Sequence, residues 1–292
     1  MDNFKLTQVY PSNYATFGLD PLLQIPEPPK MLWSRGLLPN PNLRLLAVVG
    51  SREYTSYGKQ VVDYLISGLK NYPVGIVSGL ALGIDGLAHE AALKNNLYTL
   101  SVPGSGLNEE VLYPATHKKL ALKILESGGG LISELAPEET AKSWTFPQRN
   151  RIMAGLCSAV LLIEAGAKSG TLITARMTVD YNRELLAVPG SIFSKNSYGT
   201  HQFLKLGATL VTEPGDILEA LRLEVTEPRE ITTPKDLKPE EEAVIKLLLE
   251  PVDRDSLVRA LGLTVSEVNM LLMHMEMQGY IKYEAPYYRS LL

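Results

Sequence analysis

The chain has 292 residues, of which 45% are hydrophobic and 21% charged, enough for one large domain and a small one. Its formal net charge of −4 excludes a protein that coats duplex DNA with basic surface everywhere. One cysteine excludes an internal disulfide and a cysteine-rich metal cluster, and no apolar run reaches the ~18 residues that span a bilayer.

Residues 1–42 contain Pro26, Pro28, Pro29, Pro39 and Pro41, which forbid long helices, so an extended segment packed on the main domain is expected. From residue 43 to 223, short apolar runs at 45–49, 74–77, 98–102, 131–133, 159–163, 185–188 and 208–211 alternate with helical patterns. Strand, helix, strand at this spacing predicts an α/β domain, Rossmann-like and doubly wound around a mostly parallel sheet. Several runs are apolar at every position, as strands covered on both faces must be. Cys157 lies in one such apolar stretch and is expected to be a buried, inert thiol. Residues 224–238 are proline-containing and mostly acidic, which predicts a linker. In 239–292, helices near 240–249, 254–261 and 266–278 precede alternating runs at 280–283 and 287–289, the outline of a winged helix. Met1 to Lys5 lack the apolar core of a secretory leader, so a soluble, cytoplasmic protein with no membrane contact is expected.

In an open parallel sheet ligands bind beyond the carboxyl ends of the strands. Glycine-containing turns fall at those ends: Gly50-Ser51-Arg52, Ser78-Gly79-Leu80, Pro103-Gly104-Ser105-Gly106, Lys168-Ser169-Gly170-Thr171 and Pro189-Gly190-Ser191. Glycine lets backbone N–H groups approach an anion, and a helix that starts after the turn adds its positive end. A dinucleotide is disfavoured, because no G-x-G-x-x-G follows the first strand and the second ends in Ser78-Gly79 instead of an acid. A Walker A loop is absent, and the four histidines show no metal-ligand spacing; His89 reads as a helix residue. No metal, cofactor or catalysis is expected.

Between residues 141 and 183, six lysines and arginines face only Glu164 and Asp180. Within that stretch, Phe146-Pro147-Gln148-Arg149-Asn150-Arg151 joins an aromatic to two cations. Arg52, Arg149 and Arg151 can fork onto phosphates; Asn150 and the Ser51, Ser169 and Thr171 hydroxyls can donate; Phe146 or Trp144 offers a ring. Cations and a ring carried by loops suit a single strand better than a duplex. Phe146 can equally be a core residue, and Arg149 and Arg151 can pair with Glu164 and Asp85. A different class, nucleotide phosphoribohydrolases, shares the frame and the glycine-threonine loop but uses an acid just after it, where this chain has Leu172-Ile173-Thr174-Ala175.

These motifs, together with Gly83-Ile84-Asp85, Ala88-His89, Tyr113-Pro114, Ser133-Glu134 and Gly207-Ala208, resemble the DNA-processing protein DprA (Smf) family. The resemblance implies an extended Rossmann fold that binds single-stranded DNA, dimerises, and helps load the RecA recombinase in natural transformation. By position it places the DNA pocket at Ser51, Arg52, Gly79, Leu80, Phe146, Arg149, Asn150, Arg151, Lys168, Ser169, Gly170 and Thr171. Leu82 stands where many members carry a cation, and the helical domain that often precedes this segment is not expected. A dimer surface is expected towards 193–221, with Phe203 and Leu206. The nominal recognition helix of the small domain has no lysine or arginine, and residues 239–292 hold nine acids against five bases. Weak duplex binding is therefore expected, with its methionines filling the core.

Overall fold

The computed structural model describes residues 4–167, 169–224, 237–248 and 251–290. The chain divides into two compact units, Met1–Val225 and Thr226–Leu292. Most of the expected linker, residues 225–236, lies outside the described residues.

In chain order the first unit comprises β1 (Thr7–Val9), β2 (Leu32–Gly36), β3 (Arg44–Val49), α1 (Ser56–Ser67), β4 (Val74–Ser78), α2 (Ile84–Lys94) and β5 (Tyr98–Ser101). It continues with α3 (Lys118–Glu126), β6 (Gly130–Ser133), α4 (Thr145–Leu156), β7 (Ala159–Leu162), α5 (Thr171–Asp180), β8 (Glu184–Ala187), α6 (Tyr198–Lys205), β9 (Thr209–Leu210) and α7 (Pro214–Ala220). The nine strands form one sheet in the order β1-β2-β6-β5-β4-β3-β7-β8-β9. β3 to β9 pair in parallel, while β2 is antiparallel to β6 and β1 to β2. The fold is the Rossmann-like α/β sheet that the sequence predicts, with the proline-rich segment adding two antiparallel strands at one edge. Tyr14 anchors that segment: its ring is buried and its hydroxyl donates to the Pro29 carbonyl at 3.1 Å.

Strand alternation divides the core. Ala47 and Val49 point to the face covered by Ile152, Met153 and Leu156 of α4, whereas Leu46 and Val48 meet Val62, Leu65 and Ile66 of α1. Both faces are therefore apolar, which is why β3 and β4 carry almost no polar residue. Cys157 is fully buried among them, and burial pushes its thiol pKa up. Phe203 also belongs to this core, contrary to its expected place in a dimer surface; three residues on, Leu206 is 79% exposed. On α6 the apolar face is held by Phe203 because it packs towards β8, and Leu206 caps the helix outside.

His89 lies on α2 as expected and is completely buried. The Thr99 hydroxyl donates to the Ile76 carbonyl and so accepts from His89 Nδ1 at 2.7 Å. Burial pushes the imidazole pKa down to about 3. An unfolded histidine takes a proton below about pH 6.5, while the folded one stays neutral to about pH 3. This residue's contribution to stability is complete above pH 6.5 and falls by about 1.4 kcal/mol for each pH unit of acidification below it. The thermal midpoint of His89→Gln is expected to decline less steeply than that of the parent across this window; parallel declines would show that the imidazole is solvated.

The second unit comprises α8 (Pro239–Leu247), β10 (Val252–Asp253), α9 (Arg254–Leu261), α10 (Val265–Met277), β11 (Ile281–Glu284) and β12 (Tyr287–Ser290). Gly262, with φ of 65°, ends α9 in a left-handed turn, and Thr264 with Glu267 forms a capping box that starts α10. Helix, turn, helix and a β11–β12 hairpin make the winged helix. Its core joins Val244, Leu257, Val268, Leu272, Met275 and Ile281. The methionines depart from expectation: only Met275 of α10 is buried, while Met270, Met273 and Met277 face solvent. Positions 268, 272 and 275 hold the inward stripe, so 270, 273 and 277 are turned to the opposite face.

Candidate nucleic-acid interface

β3 is central, and the chain runs outward through β4, β5 and β6 before returning to β7 on its other side. Strand order reverses there, so the loops after β3 and β7 diverge and leave a crevice at their carboxyl ends. A cavity of about 590 Å³ occupies it.

The β3 loop is tied across the crevice, because Ser51 N donates to the Glu164 carbonyl at 2.7 Å. Ser51 Oγ donates to the Glu53 carbonyl and accepts from Glu53 N, which shapes the turn and presents Arg52 outward. The Arg52 guanidinium lies over the Phe146 ring, 5.2 Å from its centroid. On the β7 side, Ser169 Oγ donates to Thr171 Oγ1 at 2.8 Å, and Thr171 Oγ1 donates to the Gly50 carbonyl at 3.0 Å. These contacts bring the start of α5 beside the β3 loop.

Phe146 to Arg151 are not loop residues; they form the first turns of α4, where Pro147 is tolerated because its missing N–H would be unpaired there anyway. The helix separates the two arginines. Two positions on a helix are about 200° apart, so Arg149 and Arg151 cannot face one cavity. Arg149 enters the crevice, with Nη1 donating to the Val102 carbonyl at 2.6 Å. Arg151 turns away, donating to Glu134 at 2.5 Å and to the Glu27 carbonyl at 2.6 Å. Neither expected partner of Arg151 is met: Glu164 instead accepts from Thr55 N and Oγ1.

Arg149 is buried opposite Asp85, at the start of α2. Burial pushes the Asp85 carboxyl pKa up, opposed by the Arg149 charge and by N–H groups of Ala81 and Gly79. Gly79 serves this pair: any Cβ there would overlap the Arg149 guanidinium. Leu80, expected at the surface, is completely buried with φ of +61°, and its carbonyl accepts from His117 Nδ1 at 2.8 Å. Gly79 and Leu80 therefore support the floor and present no side chain to a ligand.

Of the expected residues, Ser51, Arg52, Phe146, Arg149, Asn150, Ser169, Gly170 and Thr171 line the cavity. Lys168 lies outside the described residues. Phe146 is boxed by Arg52, by Tyr113 at 5.7 Å between centroids, and by Gly104, where any Cβ would strike the ring. Its described role is thus a platform for Arg52, and the guanidinium supplies the outer plane. Trp144 is exposed nearby with Lys142 Nζ 5.7 Å from its ring centroid. Sequence reasoning missed Glu53 and Asn196, joined by an Asn196 Nδ2 donation to the Glu53 carbonyl at 2.7 Å. Only the Pro189-Gly190-Ser191 turn pointed to that loop. The buried Arg149 and Asp85 offset each other, leaving Arg52 as the exposed described cation of the cavity, with hydroxyls and the start of α5. Among the described residues no group of three His, Cys, Asp or Glu is placed to hold a metal, and no single helix is long and apolar enough to cross a membrane.

Fold and site together define a doubly wound α/β binding domain with a polar, open switch-point cavity, in a chain that also carries a winged helix. The chain belongs to the DNA recombination-mediator protein A family, DprA or Smf: the family profile matches residues 4–222, and that of the DprA winged helix domain matches 227–284. Protein Smf of Escherichia coli K12 is 39% identical over 244 residues, 81% of this chain and 65% of that protein, so the chain spans just under two thirds of its length. DNA processing protein DprA of Streptococcus pneumoniae is 42% identical over 197 residues, 68% of each chain. The X-ray structure of DprA from S. pneumoniae superposes with a TM-score of 0.67 at 37% identity, covering 74% of each chain. That of DNA processing protein A from Helicobacter pylori, which concerns its single-stranded DNA binding mode, gives 0.64 at 26% identity, covering 75% of this chain and 96% of the other.

Proposed function

We propose that this chain is a cytoplasmic, homodimeric, non-catalytic single-stranded DNA-binding protein that protects incoming strands and helps load RecA during natural transformation. The observation that carries the reading is Arg52, an exposed guanidinium held by the Phe146 ring at the mouth of the switch-point cavity. It offers a charged fork for a phosphate and a flat face for a base, while Asn150, Ser169 and the start of α5 add neutral donors. The single-strand binding mode described for the H. pylori relative supports it. Cleavage chemistry has little support: the carboxylates lining the cavity are Glu53 and Asp85, and Asp85 is engaged by Arg149. For the dimer, β9 leaves a sheet edge beside exposed Leu206 and Leu210, a surface that a second copy would cover. The RecA contact rests on family membership. α10 exposes methionines and glutamates with no lysine or arginine, which opposes duplex binding.

Sedimentation velocity with labelled oligothymidine, and with a duplex of equal length, tests these statements together. The expected result is a dimer that carries the single strand, loses it as salt rises, leaves the duplex free, and speeds RecA filament formation on the strand. A monomer, or equal uptake of duplex, would overturn the corresponding part.

A further inference from the structure

The loop after β8, residues 188–197, holds the most exposed large apolar side chains of the first unit: Phe193 is 91% and Ile192 81% exposed. The loop is braced. Tyr57 Oη donates to the Pro189 carbonyl at 2.7 Å, Phe193 N to Ser191 Oγ at 3.2 Å, and Ser194 N to the Ser191 carbonyl at 3.0 Å. At its end, Asn196 is clamped between Glu53 and Ala165, whose N–H donates to the Asn196 carbonyl at 2.7 Å. Asn196 also lines the cavity. Phe193 is three residues away, so its Cα lies within about 11 Å of that of Asn196.

We propose that Phe193 is a second stacking station, which receives a base of the strand as it leaves the Arg52 cavity past Asn196, with Lys195 beside it for the phosphate. The proposal rests on the single-strand reading above. Its occupant is set by charge and by continuity: residues 188–197 carry one cation, Lys195, which is exposed, and no acid, and the same loop forms part of the cavity wall. A ring on a braced loop loses little freedom when a base stacks on it, and stacking tolerates any base because every base has a π-face.

The full chain and its Phe193→Ala and Phe193→Tyr variants are titrated with a short oligothymidine that only fills the cavity and with one of about twenty nucleotides. Phe193→Ala should bind the short strand as the parent does and the long strand about 5- to 100-fold more weakly, while Phe193→Tyr keeps parental affinity for both. Unchanged long-strand affinity in Phe193→Ala, equal losses at both lengths, or a loss that tracks dissociation into monomers would overturn the proposal. A parent chain that binds neither strand would instead overturn the single-strand reading itself.

Discussion

Replacing Arg52 with alanine is expected to weaken oligothymidine binding by about 10- to 100-fold, the worth of one charge-assisted hydrogen bond of roughly 1.5 to 3 kcal/mol. The same substitution should reduce the slope of log K against log salt by about 0.7, because one phosphate contact releases one fewer condensed counterion on a single strand. The site makes this the dominant cation: Arg149 is buried against Asp85, and Arg151 is committed to Glu134 on the other side of α4. Arg52→Lys should recover only part of the loss, since an ammonium keeps the charge without the planar fork or the fit over Phe146. Anisotropy titrations at several salt concentrations read affinity and slope separately. A folded Arg52→Ala chain with parental values of both would remove Arg52 from the phosphate path.

The second large effect is on stability. Arg149→Ala is expected to cost about 3 to 5 kcal/mol in urea unfolding, because it strands the buried Asp85 carboxylate without its compensating charge. Asp85→Asn combined with Arg149→Met should recover much of that cost, since no lone charge remains. Gly79→Ala should approach the single-variant loss by a different route: its Cβ occupies the space of the guanidinium. A change below about 1 kcal/mol in Arg149→Ala would mean that water reaches the carboxylate and that the pair does not support the cavity floor.

Much of this architecture is legible along the chain because it depends on local pattern. Apolar runs such as 45–49 can satisfy a strand only when both faces are covered, and glycine turns after them mark the carboxyl edge where a ligand enters. Hence Ser51, Arg52, Ser169 and Thr171 were placed at the cavity by position alone. Side chains whose direction depends on helix phase were not. Arg149 and Arg151 look equivalent in sequence until α4 turns one inward and the other out, and Phe203 and Leu206 are parted in the same way. Met270, Met273 and Met277 match Met275 in chemistry and differ only in which face of α10 the small core uses.

Local sequence therefore determined the α/β order, the winged helix, the crevice and the cations gathered near it, because spacing of apolar residues and glycines acts over a few neighbours. Tertiary structure alone decided which cation meets solvent, that Phe146 holds Arg52, that Leu80 is buried, and that Asn196 joins the cavity wall. Those outcomes depend on contacts such as Asn196 with Glu53, 143 residues apart, whose geometry exists only once the sheet has closed the distance.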